Sequence, residues 1–196
     1  ELTTTSLPAA GAVQKTTFAV IFAVAFCHMI NDVMQFLLTA IYPILKDSYG
    51  LSFVQIGFLS FTFQVTASLL QPVIGLSTDK RPQPYSLPVG MGFSLCGLVV
   101  LGFASQYWLL LLGSMLIGFG SAIFHPESSR VARLASGGRH GFAQSTFQVG
   151  GNAGAALGPV LAAFVVLPRG QSSIAAFGVI ALVGIWVIRQ RVRYRT

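Results

Sequence analysis

The feature that most constrains this chain is a succession of apolar blocks of roughly twenty residues, the length an α-helix needs to cross about 30 Å of hydrocarbon. Six follow one another: Thr17 to Ile44, Phe53 to Ser77, Leu87 to Ala104, Trp108 to Val131, Phe142 to Val166 and Ile174 to Ile188. Only 9% of the residues are charged, against roughly 25% in soluble domains, so water is not the main solvent of this fold. The expected fold is an all-α membrane protein of six transmembrane helices. The first block is too long, and too polar at its centre, for a cleaved signal peptide. Residues 1–16 form a polar tail, expected to be mobile and trimmed from a longer chain; residues 17–188 form the membrane domain, and residues 189–196 a basic tail.

The net charge of +7 would suggest nucleic acid in a soluble protein, but here the basic residues fall between the apolar blocks and report orientation instead. Six spans put both termini on one side. That side holds Lys15, Lys80, Arg81, Arg130, Arg133, Arg139, Arg189, Arg191, Arg193 and Arg195, while the other holds only Lys46 and Arg169. Under the positive-inside rule both termini and the loops after spans two and four are therefore expected in the cytoplasm. No nucleic-acid partner is expected; the lipid bilayer is. Cys27 and Cys96 lie inside apolar blocks, read as small core residues, and predict no disulfide.

A charged side chain near the bilayer centre costs about 2.5 to 3.5 kcal/mol, so Asp32 needs a reason to be there. His28, Asn31, Asp32, Gln35 and Thr39 stand at helical spacing and form one stripe, which must face a wet cavity or another helix. Gln64, Ser68 and Gln71 repeat the device in span two, and Gln144, Gln148 and Asn152 in span five. These amides and hydroxyls are either interhelical glue or contacts for a small-molecule substrate. For Asp32 the reading is proton coupling or a substrate contact, since a carboxylate in the membrane can take a proton on one side and release it on the other; His28, one turn away, shares that proton or holds the carboxylate in place.

Span four ends in Phe124-His125-Pro126-Glu127-Ser128-Ser129-Arg130-Val131-Ala132-Arg133. Glu127 and Arg130, at i and i+3, neutralise each other, or Arg130 and Arg133 attract an anionic substrate while Glu127 acts as a gate or second proton site. His125 joins the candidate substrate contacts. His28, Asp32 and His125 could in principle hold a metal, but no HxxxH pair or Cys/His cluster supports one, and none is expected. In span five Gly150, Gly151, Gly154 and Gly158, followed by Pro159, present a small face on which another helix can pack closely. Grouped in threes, the spans form two triplets of opposite sense, each opening on a polar helix, the inverted-repeat pattern of secondary transporters.

The loop Gly75-Leu76-Ser77-Thr78-Asp79-Lys80-Arg81 resembles the Gly-x-x-x-Asp-Arg/Lys signature of the major facilitator superfamily, in which Gly75, Asp79 and Lys80 would form a cytoplasmic gate motif. Its usual Gly-Arg/Lys continuation is replaced by Pro82-Gln83-Pro84. Gly154-x-x-x-Gly158-Pro159 resembles the fifth-helix signature of the superfamily's antiporters. More specifically, His28-x-x-Asn31-Asp32, Ala40-Ile41-Tyr42-Pro43, Leu69-Leu70-Gln71-Pro72-Val73, and the run from Phe124 through Gly137-Gly138-Arg139-His140-Gly141 to Phe147-Gln148-Val149-Gly150-Gly151-Asn152 resemble the fosmidomycin resistance branch. The resemblance implies a bacterial inner-membrane efflux protein, driven by the proton gradient with no other cofactor, that exports small antibiotics such as fosmidomycin. Because that superfamily has twelve helices, the chain is expected to be the N-terminal half of such a fold, completed by a C-terminal six-helix half or by a second copy.

Three rivals are weighed against this. Uptake of a small organic anion would use the same fold. A non-transporting scaffold would use the polar stripes only to bind helices. An intramembrane serine protease would need a base and an orienting group for Ser121; His125 lies one turn on, span six holds no histidine, and an enzyme is not expected.

Overall fold

The first helix, α1, runs Phe18–Ala40, and the chain then resumes as a short helix, Tyr42–Tyr49, so the expected block from Thr17 to Ile44 is divided. Pro43 lacks a backbone N–H, which costs nothing in the first turn of a new helix and would break an old one. Gly50, at φ 60°, closes the short helix in the left-handed region, and the Leu51 N–H returns to the Lys46 carbonyl at 2.9 Å. Ser52 then opens α2 with a reciprocal cap: its hydroxyl accepts from the Gln55 N–H, and the Gln55 side chain accepts from the Ser52 N–H.

In this computed structural model the described residues are 15–80, 83 and 85–192. The tail before residue 15, Arg81, Arg193, Arg195 and the side chain of Asp79 lie outside them. α2 comprises Phe53–Gln64, a π turn at Val65–Leu69, and Leu70–Lys80; α3 is Ser86–Gly102 and α4 is Tyr107–Leu134. α5 comprises His140–Leu161, a π turn at Ala162–Val166, and Leu167–Arg169; α6 opens as 3₁₀ at Gln171–Phe177 and continues as Gly178–Arg191. Each π turn has a proline within a few residues, Pro72 in α2 and Pro159 in α5, where a missing N–H frees carbonyls from the regular ladder. In α2 the Thr66 hydroxyl adds bonds to the carbonyls of Thr62 and Phe63.

All the spans except α3 meet the length and hydropathy of a membrane helix; α3, with 17 residues and no charge, reaches about 26 Å. The packing has the expected internal symmetry. α1 lies against α5 and α6, α4 lies against α2 and α3, and α1 also meets α4. Exchanging the triplets α1–α3 and α4–α6 maps the α1 contacts with α5 and α6 onto those of α4 with α2 and α3, and the α1–α4 contact onto itself, so the two inverted three-helix repeats are present in the fold. Between them Met34, Leu37, Leu38, Met91, Leu98, Ile117 and Phe124 are fully buried, while Phe22, Phe26, Phe53, Phe58 and Phe61 are exposed, as lipid-facing side chains are. Cys27 is buried, with its thiol 3.6 Å from the Gly184 carbonyl. Cys96 is exposed, which corrects its reading as a core residue: it occupies an outward position of α3.

Both ends of the bundle are tied. On the arginine-rich side the Thr17 N–H donates to the Ala135 carbonyl at 2.9 Å and the Thr16 hydroxyl to the Ser136 carbonyl at 2.8 Å, joining α1 to the end of α4. On the opposite side the Tyr49 hydroxyl lies 2.6 Å from the Ala104 carbonyl and 2.8 Å from Oε1 of Gln171, linking the short helix to the α3–α4 turn and the start of α6. Tyr49→Phe keeps the ring and removes the only proton that this hydroxyl can donate, so it is expected to destabilise the fold by about 1 kcal/mol, read as a lower thermal midpoint in detergent.

Candidate functional site

Three of the expected polar residues converge where α1 meets α4. His28 and Asp32, one turn apart on α1, approach at 3.4 Å between Nε2 and Oδ2; His125, from α4, brings its Nε2 to 3.2 Å from Asp32 Oδ1. Gln35 donates to Asp32 Oδ1 at 3.2 Å and Asn31 at 3.4 Å. His28, Asn31, Asp32 and Gln35 are buried, whereas Thr39, the fifth residue of the stripe, is half-buried and donates to the Phe36 carbonyl at 3.1 Å; Oδ1 of Asn31 is buried with no hydrogen-bond partner among the described residues.

Two backbone carbonyls orient the imidazoles. His28 Nδ1 is 2.8 Å from the Phe147 carbonyl of α5, and His125 Nδ1 is 3.0 Å from the Ser121 carbonyl one turn back in α4. A carbonyl has no proton to give, so each Nδ1 carries one and donates. In a neutral ring the lone pair is then on Nε2, facing Asp32; in a protonated ring Nε2–H donates to the carboxylate. The His28 ring stacks on Phe147 at 3.9 Å, and a Cβ on Gly151 would lie 2.9 Å from Asp32 Oδ2 and press on the His28 ring. Phe147, Ser121 and Gly151 thus hold the site together. Sequence reasoning had placed Ser121 one turn from His125 and Gly151 on a packing face, but a main-chain carbonyl such as that of Phe147 leaves no sequence signal.

Ser121, His125 and Asp32 also fall in the order of a hydrolytic triad. The arrangement is a structural one. The Ser121 hydroxyl is buried and donates to Gln35 Oε1 at 3.0 Å, and the nitrogen facing it, His125 Nδ1, already carries a proton toward the Ser121 carbonyl, so it has no lone pair with which to act as base.

Other expected residues lie apart from this cluster. Glu127 is fully buried and accepts from Arg130 Nε at 2.9 Å and Nη2 at 3.1 Å, and from the Ser86 hydroxyl of α3 at 2.8 Å. Arg130 and Arg133 border two shallow clefts on the arginine-rich side, one with Ser136, Gly138 and His140, the other with Thr78, Ser129 and Gln144. Gly75 sits beside Pro126, 3.6 Å from where its Cβ would be, and Lys80 ends α2 exposed. The polar stripes of α2 and α5 do not close on Asp32: Gln64, Ser68, Gln148 and Asn152 are exposed. Gln148 bonds Asn152 within α5, and Gln144 reaches Ser129 of α4 at 2.8 Å. Gly154 and Gly158 face α1, as expected of packing residues, and Pro159 is exposed.

Comparison with known proteins agrees with this architecture. The chain is 52% identical over 192 residues, 95% of its length, to the fosmidomycin resistance protein of Escherichia coli. It is 44% identical over 170 residues to the uncharacterized MFS-type transporter YfnC of Bacillus subtilis, and 26% identical over 154 residues to the probable nitrate transporter NarT of Staphylococcus carnosus. It covers 87% and 76% of its own length in the latter two, and spans 47%, 42% and 40% of the three relatives, about half of each or less. Residues 24–195 match the model of the Major Facilitator Superfamily, a superfamily of membrane transporters and not of enzymes. With helices of membrane length, two inverted triplets and a match over nearly its whole length, this chain belongs to the Major Facilitator Superfamily.

Proposed function

We propose that the chain forms one half of a secondary transporter in the bacterial inner membrane, one that exports small phosphonate antibiotics such as fosmidomycin in exchange for entering protons. The observation that carries the reading is the buried Asp32, held between two repeats by groups that converge on its carboxylate. A carboxylate whose neighbours sit on both α1 and α4 links its charge to the contact between the repeats, which is what a coupled carrier requires. His28 shares that role. Glu127, bound to Arg130 and Ser86, joins α3 to α4 as a gate on the arginine-rich side, where Gly75, Asp79 and Lys80 form the neighbouring gate motif.

The charge distribution supports cytoplasmic termini; in that orientation the clefts beside Arg130 and Arg133 lie at the cytoplasmic mouth and attract an anionic phosphonate. Asn31, Gln35, His125, Gln64, Gln148 and Asn152 are then available to bind it. Exposed amides are costly against lipid, so the face bearing Gln64, Gln148 and Asn152 is covered by a second six-helix half, or by a second copy of the chain.

The test is flux in everted vesicles that contain the complete transporter. Labelled fosmidomycin should accumulate when the lumen is acidified and leak out on adding a protonophore. The runner-up, uptake of a small anion, is favoured by the name of the nitrate-transporter relative; it requires the opposite result, accumulation in right-side-out vesicles alone.

A further inference from the structure

We infer that His28, Asp32 and His125 form a binding site for a divalent transition-metal ion of the zinc class. The inference rests on ligand geometry, and it stands whether or not the transport reading holds.

With each Nδ1 bound to a carbonyl, both imidazoles direct Nε2, and Asp32 its two oxygens, at one small volume; all three groups have ligand atoms within 4.8 Å of one another. Lone pairs repel, so three acceptors gathered this way are relieved by a cation among them, a proton or a metal ion. The second coordination layer is the one metal centres use, in which a ligating histidine donates its other ring N–H to a backbone carbonyl or carboxylate. Spacing fits as well. Bonds of 2.0 to 2.1 Å at tetrahedral angles put neighbouring ligands about 3.3 Å apart; here His28 is 3.4 Å from Oδ2 and His125 3.2 Å from Oδ1, with all the ligand atoms within 4.8 Å.

Two imidazoles and one carboxylate suit Zn²⁺, Co²⁺ or Ni²⁺; magnesium and calcium prefer all-oxygen sets. The site is closed at His28, whose side chain is 3% exposed, and open at His125, at 25%. An ion therefore enters from the His125 side and keeps a fourth position there for water or a ligand oxygen. The linear motifs missing from the sequence are missing because the donors come from two helices. An ion held by both α1 and α4 would lock the repeats together and block any movement that depends on their sliding.

The experiment uses the complete polypeptide in nanodiscs. Titration with Co²⁺ should give the intense visible bands of a four-coordinate site at one ion per chain; Zn²⁺ should abolish them and Mg²⁺ should not. Zn²⁺ should also raise the thermal midpoint in proportion to its occupancy. His125→Ala and, independently, Asp32→Asn should each weaken Zn²⁺ affinity by about 100-fold, in protein that remains monodisperse. The proposal is overturned if wild-type protein gives only octahedral cobalt spectra, if both variants bind Zn²⁺ as tightly as wild type, or if His140→Ala removes the binding instead. Cobalt bands in a protein that fails the everted-vesicle assay would sink the export reading and leave the metal site standing.

Discussion

Replacing Asp32 by asparagine in the complete transporter is expected to reduce proton-driven export to the level of membranes that lack the protein, while leaving expression and thermal stability close to wild type. The second half of that statement makes the first interpretable. Asparagine has nearly the volume of aspartate; its carbonyl oxygen in the Oδ1 place can still accept from Gln35, now 3.2 Å away, and its amide in the Oδ2 place can donate to Nε2 of a neutral His28. The variant therefore loses a charge and a proton acceptor without leaving an orphaned donor. Removing a carboxylate that costs about 2.5 to 3.5 kcal/mol to insert should if anything stabilise the bundle. Counterflow, in which labelled substrate exchanges for unlabelled substrate without a gradient, separates the outcomes. If Asp32 couples protons, counterflow persists in the variant and only accumulation against a gradient is lost. Export that keeps its full dependence on the pH gradient in Asp32→Asn would exclude Asp32 as the coupling group.

Much of this site could be read from the chain itself, and the limits of that reading have physical causes. His28, Asn31, Asp32 and Gln35 repeat at the period of a helix, so their common face was legible, and the structure buries all four. The partner of that face was not. Spacing along α1 says nothing about which helix lies opposite, so His125 read as a residue near Ser121 and Glu127, and its approach to Asp32 emerged only from the packing of α4 on α1. The stripes on α2 and α5 show the same limit from the other side: periodicity marks Gln64, Gln148 and Asn152 as one-sided, yet it does not say that their side is exposed.

Hydropathy was similarly informative about existence and blind to breaks. It merged α1 with the short helix after it, because Ala40-Ile41-Tyr42-Pro43-Ile44 is apolar throughout and the division lies in the backbone. The inverted repeat was visible because it needs only the order of polar and apolar helices. Its proof lies in the contacts, α1 with α5 and α6 against α4 with α2 and α3, which place Asp32 near the axis relating the two triplets.

Gly154→Val is expected to be strongly damaging, as a side chain at any of the close-packed glycines of the α1–α5 contact would be. Helices in lipid gain little from hydrophobic burial when they associate, so close van der Waals contact and polar pairing must hold them, and α1 and α5 obtain that contact along Gly150, Gly154 and Gly158. A Cβ at 154 would collide with the Met29 carbonyl and stand 2.9 Å from Asp32 Cβ and 3.0 Å from the Val33 nitrogen. These are backbone atoms and the root of a side chain, so no rotamer change relieves the overlap; α5 has to move away from α1. That shift would draw the Phe147 carbonyl from His28 and disturb the orientation of the cluster. The expected cost is about 3 kcal/mol, at the upper end for overpacking, with a lower thermal midpoint and reduced yield of monodisperse protein. Gly92→Ala is the control: nothing lies within 4 Å of its Cβ position, and alanine at an open helical site should be neutral or stabilising by about 0.5 to 1 kcal/mol. Equal thermal midpoints for the two variants would mean that the α1–α5 approach does not hold this bundle together.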